Sequence, residues 1–287
     1  MQNQTFHLLK RAFINDVDKE ALQKSKLKES PFIQQEIDLV LKQSLPNIQF
    51  DTLHFSSRNV DSRKLLEETV ITYILFISNI VKHEKFSRTF LRPGAWDGDR
   101  CWIQLLKFVM YCIFTLIYNI RWTSINFFDL DKTIDHLLQG RAEALRDFMK
   151  SLNIPLKNNS LYPAEKSYES LMFHPVNVFG PYHWRLLHWM AEAFEMRNGN
   201  HADIDQAKSI WREFVSKSLH RTLRCNICMY HYQNIAQTFK EKFLNDNNYS
   251  KIWFDIHNLV RSVQLKSNYS ESEFETDRAF MKSALVP

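Results

Sequence analysis

Cys225 and Cys228 form a C-x-x-C pair, and His231 follows three positions later. Thiols at that spacing can close into a disulfide and reopen, supply half of a metal site, or simply pack as core cysteines. The run behind them (Met229, Tyr230, Ile235, Ala236, Phe239, Lys240, Phe243) places apolar residues at helical spacing, which predicts a helix opening at the pair. Unpaired N–H groups and the positive end of the helix dipole favour a thiolate there, so the pKa of an exposed member should fall. Such a pair suits a dithiol–disulfide cycle. The competing reading is a zinc-stabilised helical interaction module in which Cys225, Cys228 and His231 are joined by His220. Zinc sites usually present two matched ligand pairs, and the fourth ligand here is ambiguous.

The elements that must position these groups lie on either side. Trp184 and His188 are four apart and share one face of a helix predicted from about Pro181 to Met196, ahead of Asn198 and Gly199. Trp253, His257 and Asn258 fall on another, from about Ser250 through Ile252, Ile256, Leu259, Val260 and Val263. Between them a helix starting near Asp203 carries Ala207, Ile210, Trp211, Phe214, Val215 and Leu219 on one face. With the helix that opens at C-x-x-C, this makes four. Rings and imidazoles aimed into such a bundle from two facing helices could sandwich a planar heterocycle. Taken singly, each of these aromatic and histidine residues reads as core packing.

Together they carry a resemblance. The run Phe179-Gly180-x-x-x-Trp184-x-x-Leu187-His188-x-x-Ala191 resembles the opening flavin-binding signature of the Erv/ALR sulfhydryl oxidases. Cys225-x-x-Cys228-x-x-His231-Tyr232 is similar to that family's active-site motif, and His257-Asn258-x-Val260, with Lys266 beyond, to its third. All three stand in family order. The resemblance implies a four-helix bundle holding FAD, in which a dithiol passes two electrons to the flavin and then to O₂, giving H₂O₂. By motif position, Cys225 would exchange with the thiols of a protein substrate and Cys228 would be the flavin-proximal thiolate. Gly180, Trp184, His188, His231, Tyr232, Trp253, His257 and Asn258 would line the FAD, with Arg261 and Lys266 near its phosphates. A homodimer is implied as well.

Two positions depart from the pattern. Pro181 stands where the family often has Arg after the glycine, and Arg261 where it has a second Asn. No second C-x-x-C shuttle is present, since Cys101 and Cys112 are eleven apart in one predicted helix, about three turns, too far to bridge. Substrate is therefore expected to meet Cys225 directly. Members from large DNA viruses of the baculovirus type are similar in carrying an N-terminal helical extension that stands in for part of a second subunit. Trp102-x-x-Leu105 faintly echoes Trp184-x-x-Leu187, with Leu106 where His188 would fall, so residues 1–165 are read as an N-terminal helical domain, with a degenerate, flavin-free copy of the bundle as the alternative.

Composition agrees with helices. Only 5 Gly stand against 22 Phe, 10 Tyr and 7 Trp, a turn-poor chain, and 45% hydrophobic residues allow a full core. The expected fold is all-α, with an N-terminal helical domain over 1–165, an oxidase-like domain over 166–268 and a Ser- and Glu-rich frayed tail over 269–287. Residues 151–167, with Pro155 and Pro163, are the expected boundary. In the first half, helices are predicted at Leu8 to Val17, Ile33 to Leu41, Val60 to His83, Cys101 to Ile120 and Leu130 to Met149. The stretch Cys101–Ile120 reaches bilayer length, but Lys107 in its middle favours a buried core helix over a membrane span.

A net charge of +5 is spread among acidic residues without a basic block, giving no nucleic-acid footprint. Four cysteines exclude a disulfide-dense scaffold, and Met1–Lys10 lacks a signal-peptide core. With the viral resemblance, host cytoplasm or nucleus, with association to the virion, is the expected location.

Overall fold

The computed structural model describes residues 61–84, 99–166, 168, 176–196, 209, 211–212, 214–215, 219–222, 232, 234–235, 239, 242, 248–263 and 267–285. Among these the regular structure is helical: α1 Ser62–Glu84, α2 Asp99–Leu116, α3 Phe127–Leu138, α4 Glu143–Ser151, α5 Pro163–Lys166, α6 Val176–Met196, α7 Tyr249–Val263 and α8 Glu271–Leu285. Short 3₁₀ turns lie at Trp122–Ser124 and Leu219–Thr222. The predicted helices over Leu8–Val17 and Ile33–Leu41 lie outside the described residues.

Helix α1 is the central post. Asp61 caps it, its Oδ1 accepting the Lys64 N–H at 2.9 Å. Beyond the cap its sequence is apolar around nearly the whole circumference, and from Leu65 to Ile77 almost every side chain is buried. A helix of that kind must be surrounded. It packs against α2, α3, α5, α6 and α8.

Helix α2 is a core helix, as Lys107 foretold. Leu105, Leu106, Val109, Met110, Cys112, Ile113, Phe114 and Leu116 are buried, and Lys107 pairs with Asp131 of α3. No described helix is long and apolar enough to cross a membrane. Cys112 is fully buried.

The single helix expected over Leu130–Met149 is two. Gly140, at φ 90°, takes the left-handed conformation open to glycine. Its N–H reaches the Leu137 carbonyl at 2.9 Å and the Arg141 N–H reaches that of His136 at 3.0 Å, a Schellman stop.

The expected boundary over 151–167 is not an open linker. Arg146 of α4 donates to the carbonyls of Asn158 and Ser160 at 2.7 and 3.0 Å and to Glu165 at 2.7 Å. Glu67 of α1 accepts the Lys157 N–H at 2.6 Å. Satisfying these buried charges pulls the segment onto the core. One cluster of buried apolar residues then runs from Leu65 to Leu285, through both expected halves.

The frayed tail over 269–287 is also corrected. Residues 271–285 form α8, opened by a capping box in which Glu273 accepts the Ser270 N–H at 2.8 Å while Ser270 Oγ accepts the Glu273 N–H at 3.2 Å. Phe274, Met281, Ala284 and Leu285 are buried, against α1 and α6. Helix α6 in turn begins five residues before the expected Pro181, which therefore lies inside its second turn and costs it one N–H bond.

Candidate functional site

Helices α6 and α7 pack side by side and each presents a ring pair one turn apart. Trp184 and His188 come from α6; Trp253 and His257 come from α7. Trp184 stacks on His257 with centroids 4.2 Å apart and planes at 26°. Trp184 meets Trp253 edge-on at 6.3 Å, and His188 meets His257 edge-on at 5.6 Å. Tyr232, four positions after Cys228, lies parallel to Trp253 at 6.2 Å and donates its hydroxyl to the Val215 carbonyl at 2.7 Å. Five of the expected site residues thus form one ladder of rings.

The arrangement differs from the expected sandwich in one respect. The Trp184–His257 spacing is that of one ring on another, so no third ring lies between them. The half-buried Trp184 leaves part of its surface free of protein, whereas His257, Trp253 and His188 are buried.

His188 is the electrostatic oddity. It is 2% exposed, and its Nε2 has no hydrogen-bond partner among the described residues. Burial pushes its pKa down to about 4, so the imidazole is neutral near pH 7. A buried ring nitrogen left unsatisfied costs free energy unless something else meets it. Near the start of the same helix, a Cβ built on Gly180 would meet nothing within 4 Å. An orphaned polar atom, a partly open indole and free space along one helix fit a planar heteroaromatic group of the FAD kind.

Asn258 and Arg261 take other partners. The Asn258 amide clasps the Tyr269 backbone, and Arg261 Nε donates to the Ser267 carbonyl at 2.6 Å. Both hold the connection from α7 to α8. Cys225, Cys228, His231 and Lys266 lie outside the described residues, as does the side chain of His220. Among the described residues no group of three His, Cys, Asp or Glu could hold a metal ion.

Two ring residues came from the segment expected to be a tail. Tyr269 lies 5.8 Å from His257, and Phe274 lies 6.4 Å from His188. Behind them Arg278 binds the fully buried Glu192 at 2.9 Å and Glu195 at 3.0 Å, and Ser250 Oγ donates to Glu192 at 2.7 Å. Burial raises the Glu195 carboxyl, opposed by the Ser250 N–H and Arg278. The sequence signal for this segment is the Ser270-x-x-Glu273 box followed by Phe274 and Met281, seven apart on one helical face.

No family model matches the chain, and no curated protein or solved structure matches it either.

Proposed function

We propose that the protein is an FAD-dependent thiol oxidase that forms disulfides in protein substrates. The observation that carries this reading is the convergence of Trp184, His188, Trp253, His257 and Tyr232 in one ring cluster. Four of these were singled out by motif position from three separate stretches and Trp253 by its place one turn before His257, and a chance set of core aromatics has no reason to include both imidazoles at one contact.

When bound, FAD takes two electrons from a dithiol and returns them to O₂, giving H₂O₂. In the net reaction two substrate thiols lose two electrons and two protons and form one S–S bond. The chain's own residues do the rest. A substrate thiolate attacks the Cys225 sulfur of the enzyme disulfide and displaces the Cys228 thiolate. The second substrate thiol then displaces Cys225, leaving the substrate disulfide and a reduced enzyme pair that gives up its two electrons as the Cys225–Cys228 bond re-forms. Trp184, half-buried and stacked on His257, offers the exposed part of its indole. His188, kept neutral by burial, offers a ring nitrogen to a polar edge of the cofactor. Tyr269 and Phe274 wall off the far side of the imidazoles and keep water from them.

The visible spectrum of the purified protein, before and after anaerobic dithiol, tests the proposal. An oxidised-flavin band that bleaches with dithiol and returns in air is the expected result. A colourless protein that takes up no added FAD would overturn it.

A further inference from the structure

Helix α1 belongs to the half of the chain without a chemical motif, yet Tyr73 carries a hydroxyl across to the turn that precedes C-x-x-C. Tyr73 Oη lies 2.9 Å from Thr222 Oγ1, the two residues being 149 positions apart. Thr222 Oγ1 gives its one proton to the Leu219 carbonyl at 2.7 Å. Toward Tyr73 it can only accept, so Tyr73 donates. From α6, His183 Nε2 lies 3.1 Å from the Thr222 carbonyl oxygen. A carbonyl has no proton to give, so Nε2 carries one, and the same N–H leans toward Thr222 Oγ1 at 3.4 Å.

The rings reinforce this. Tyr73 meets the His183 imidazole edge-on at 4.6 Å, and Phe76, on the same face of α1, meets it at 6.0 Å. All three polar residues are buried. Burial also raises the Tyr73 phenol far above its usual range, so it remains a donor at any physiological pH.

The last residue of the Leu219–Thr222 turn is therefore gripped at its side chain by α1 and at its carbonyl by α6. Thr222 stands three positions before Cys225. In sequence, two residues separate this pinned turn from the thiol proposed to meet substrate. An apolar contact would hold the turn in place about as well, because paired polar groups contribute little net stability over well-shaped apolar ones. What a hydrogen-bonded set adds is direction: each bond tolerates one orientation of the turn and penalises the others.

We infer that Tyr73, His183 and Thr222 are positioning residues for the C-x-x-C, and that through α1 the N-terminal half is a working part of the thiol site. The inference rests on the oxidase reading for its effect on turnover, and on thiol chemistry alone for its effect on Cys225 reactivity. Those two dependences can be separated by experiment.

The test uses the full chain with Tyr73→Phe, Thr222→Val and Thr222→Ser. One readout is the pH profile of Cys225 alkylation by iodoacetamide in the reduced protein, resolved by mass spectrometry. The other is kcat/KM for dithiothreitol oxidation, with flavin content measured alongside. Tyr73→Phe and Thr222→Val are expected to keep helicity and flavin, to shift the midpoint of the alkylation profile and to lower kcat/KM about fivefold, the effect of one buried hydrogen bond. Thr222→Ser, which keeps the hydroxyl, is expected to stay near the parent on both readouts. Unchanged profiles and turnover in both Tyr73→Phe and Thr222→Val would overturn the inference, as would a Thr222→Ser profile as displaced as that of Thr222→Val. Should Thr222→Val fail to fold, Tyr73→Phe, which removes a single oxygen, decides alone. A parent protein without flavin whose variants still shift the alkylation profile would sink the oxidase reading and uphold the positioning one. An active flavoprotein with unmoved variants would do the reverse.

Discussion

Asn258 and Tyr269 hold each other through two hydrogen bonds: the Asn258 Nδ2 donates to the Tyr269 carbonyl at 2.9 Å, and its Oδ1 accepts the Tyr269 N–H at 2.7 Å. The amide therefore acts as a strand-like partner for one residue of the connection between α7 and α8. It sits next to His257, so the residue that steadies the ring cluster and the residue that steadies the C-terminal helix are neighbours in sequence.

Asn258→Ala removes both bonds and leaves the Tyr269 backbone to find water. A loss of about 1–2 kcal/mol of stability is expected, with faster amide exchange concentrated in residues 267–285. Urea melts and peptide-resolved hydrogen exchange would check this. A uniform rise in exchange across α1 and α8 would argue against a local clasp.

The ring cluster predicts a division of labour. Trp184→Ala and His257→Ala should weaken FAD binding by about tenfold, since a single aromatic stack contributes ~0.5–1.5 kcal/mol, and should leave the helical fold in place. Cys228→Ser should retain flavin and lose dithiothreitol oxidation. Flavin-to-protein absorbance ratios and oxygen uptake separate the two groups. Turnover retained in Cys228→Ser would remove that residue from its assigned role.

Arg146 is the cation between two buried carboxylates, Glu165 at 2.7 Å and Glu67 at 3.8 Å. Hydrogen bonding to Glu165 holds its guanidinium above even the usual high range. Arg146→Met strands both acids, and a loss of about 3–5 kcal/mol is expected. Adding Glu67→Gln and Glu165→Gln to the same chain should recover part of it. Chemical denaturation of the single and triple variants measures the difference, and no recovery would mean that the Asn158 and Ser160 carbonyls, rather than the acids, need the arginine.

His188 sets a pH dependence whose sign follows from its surroundings. Its pKa is about 4 in the folded protein against 6.5 in the unfolded chain. Below pH 6.5 the unfolded chain takes up a proton that the buried ring refuses, so stability is lost as pH falls from 6.5 toward 4, by up to about 3 kcal/mol, and no further below. His188→Leu should flatten this part of the stability profile relative to the parent, read as urea midpoints at pH 7 and pH 4.5. Parallel profiles would place the titration elsewhere.

Local patterns carried a large part of this molecule. The continuous apolar run of α1 could only be a buried helix, Lys107 kept α2 out of the bilayer class, and the four-residue spacings Trp184–His188 and Trp253–His257 put each pair on one face. Those are statements about a single helix, and periodicity alone settles them. Gly140 and the Ser270-x-x-Glu273 box carry the local signals of a helix stop and a helix start, although the apolar pattern continues past the first and the composition around the second is polar.

The remainder depended on which surfaces meet. Nothing in the spacing of Trp184 and His257 says that they touch each other rather than lie on either side of a third ring. That follows from how closely α6 approaches α7. A Ser- and Glu-rich segment becomes the ordered helix α8 because Glu192 and Glu195 on α6 accept Arg278, and because Phe274 and Met281 are buried. Tyr73 and Thr222 meet across 149 positions, a pairing no local pattern encodes. The physical reason is the same in each case. A helix is decided by bonds within a few residues, whereas the partner of a buried hydroxyl, carboxylate or ring is decided by the packing of the whole core.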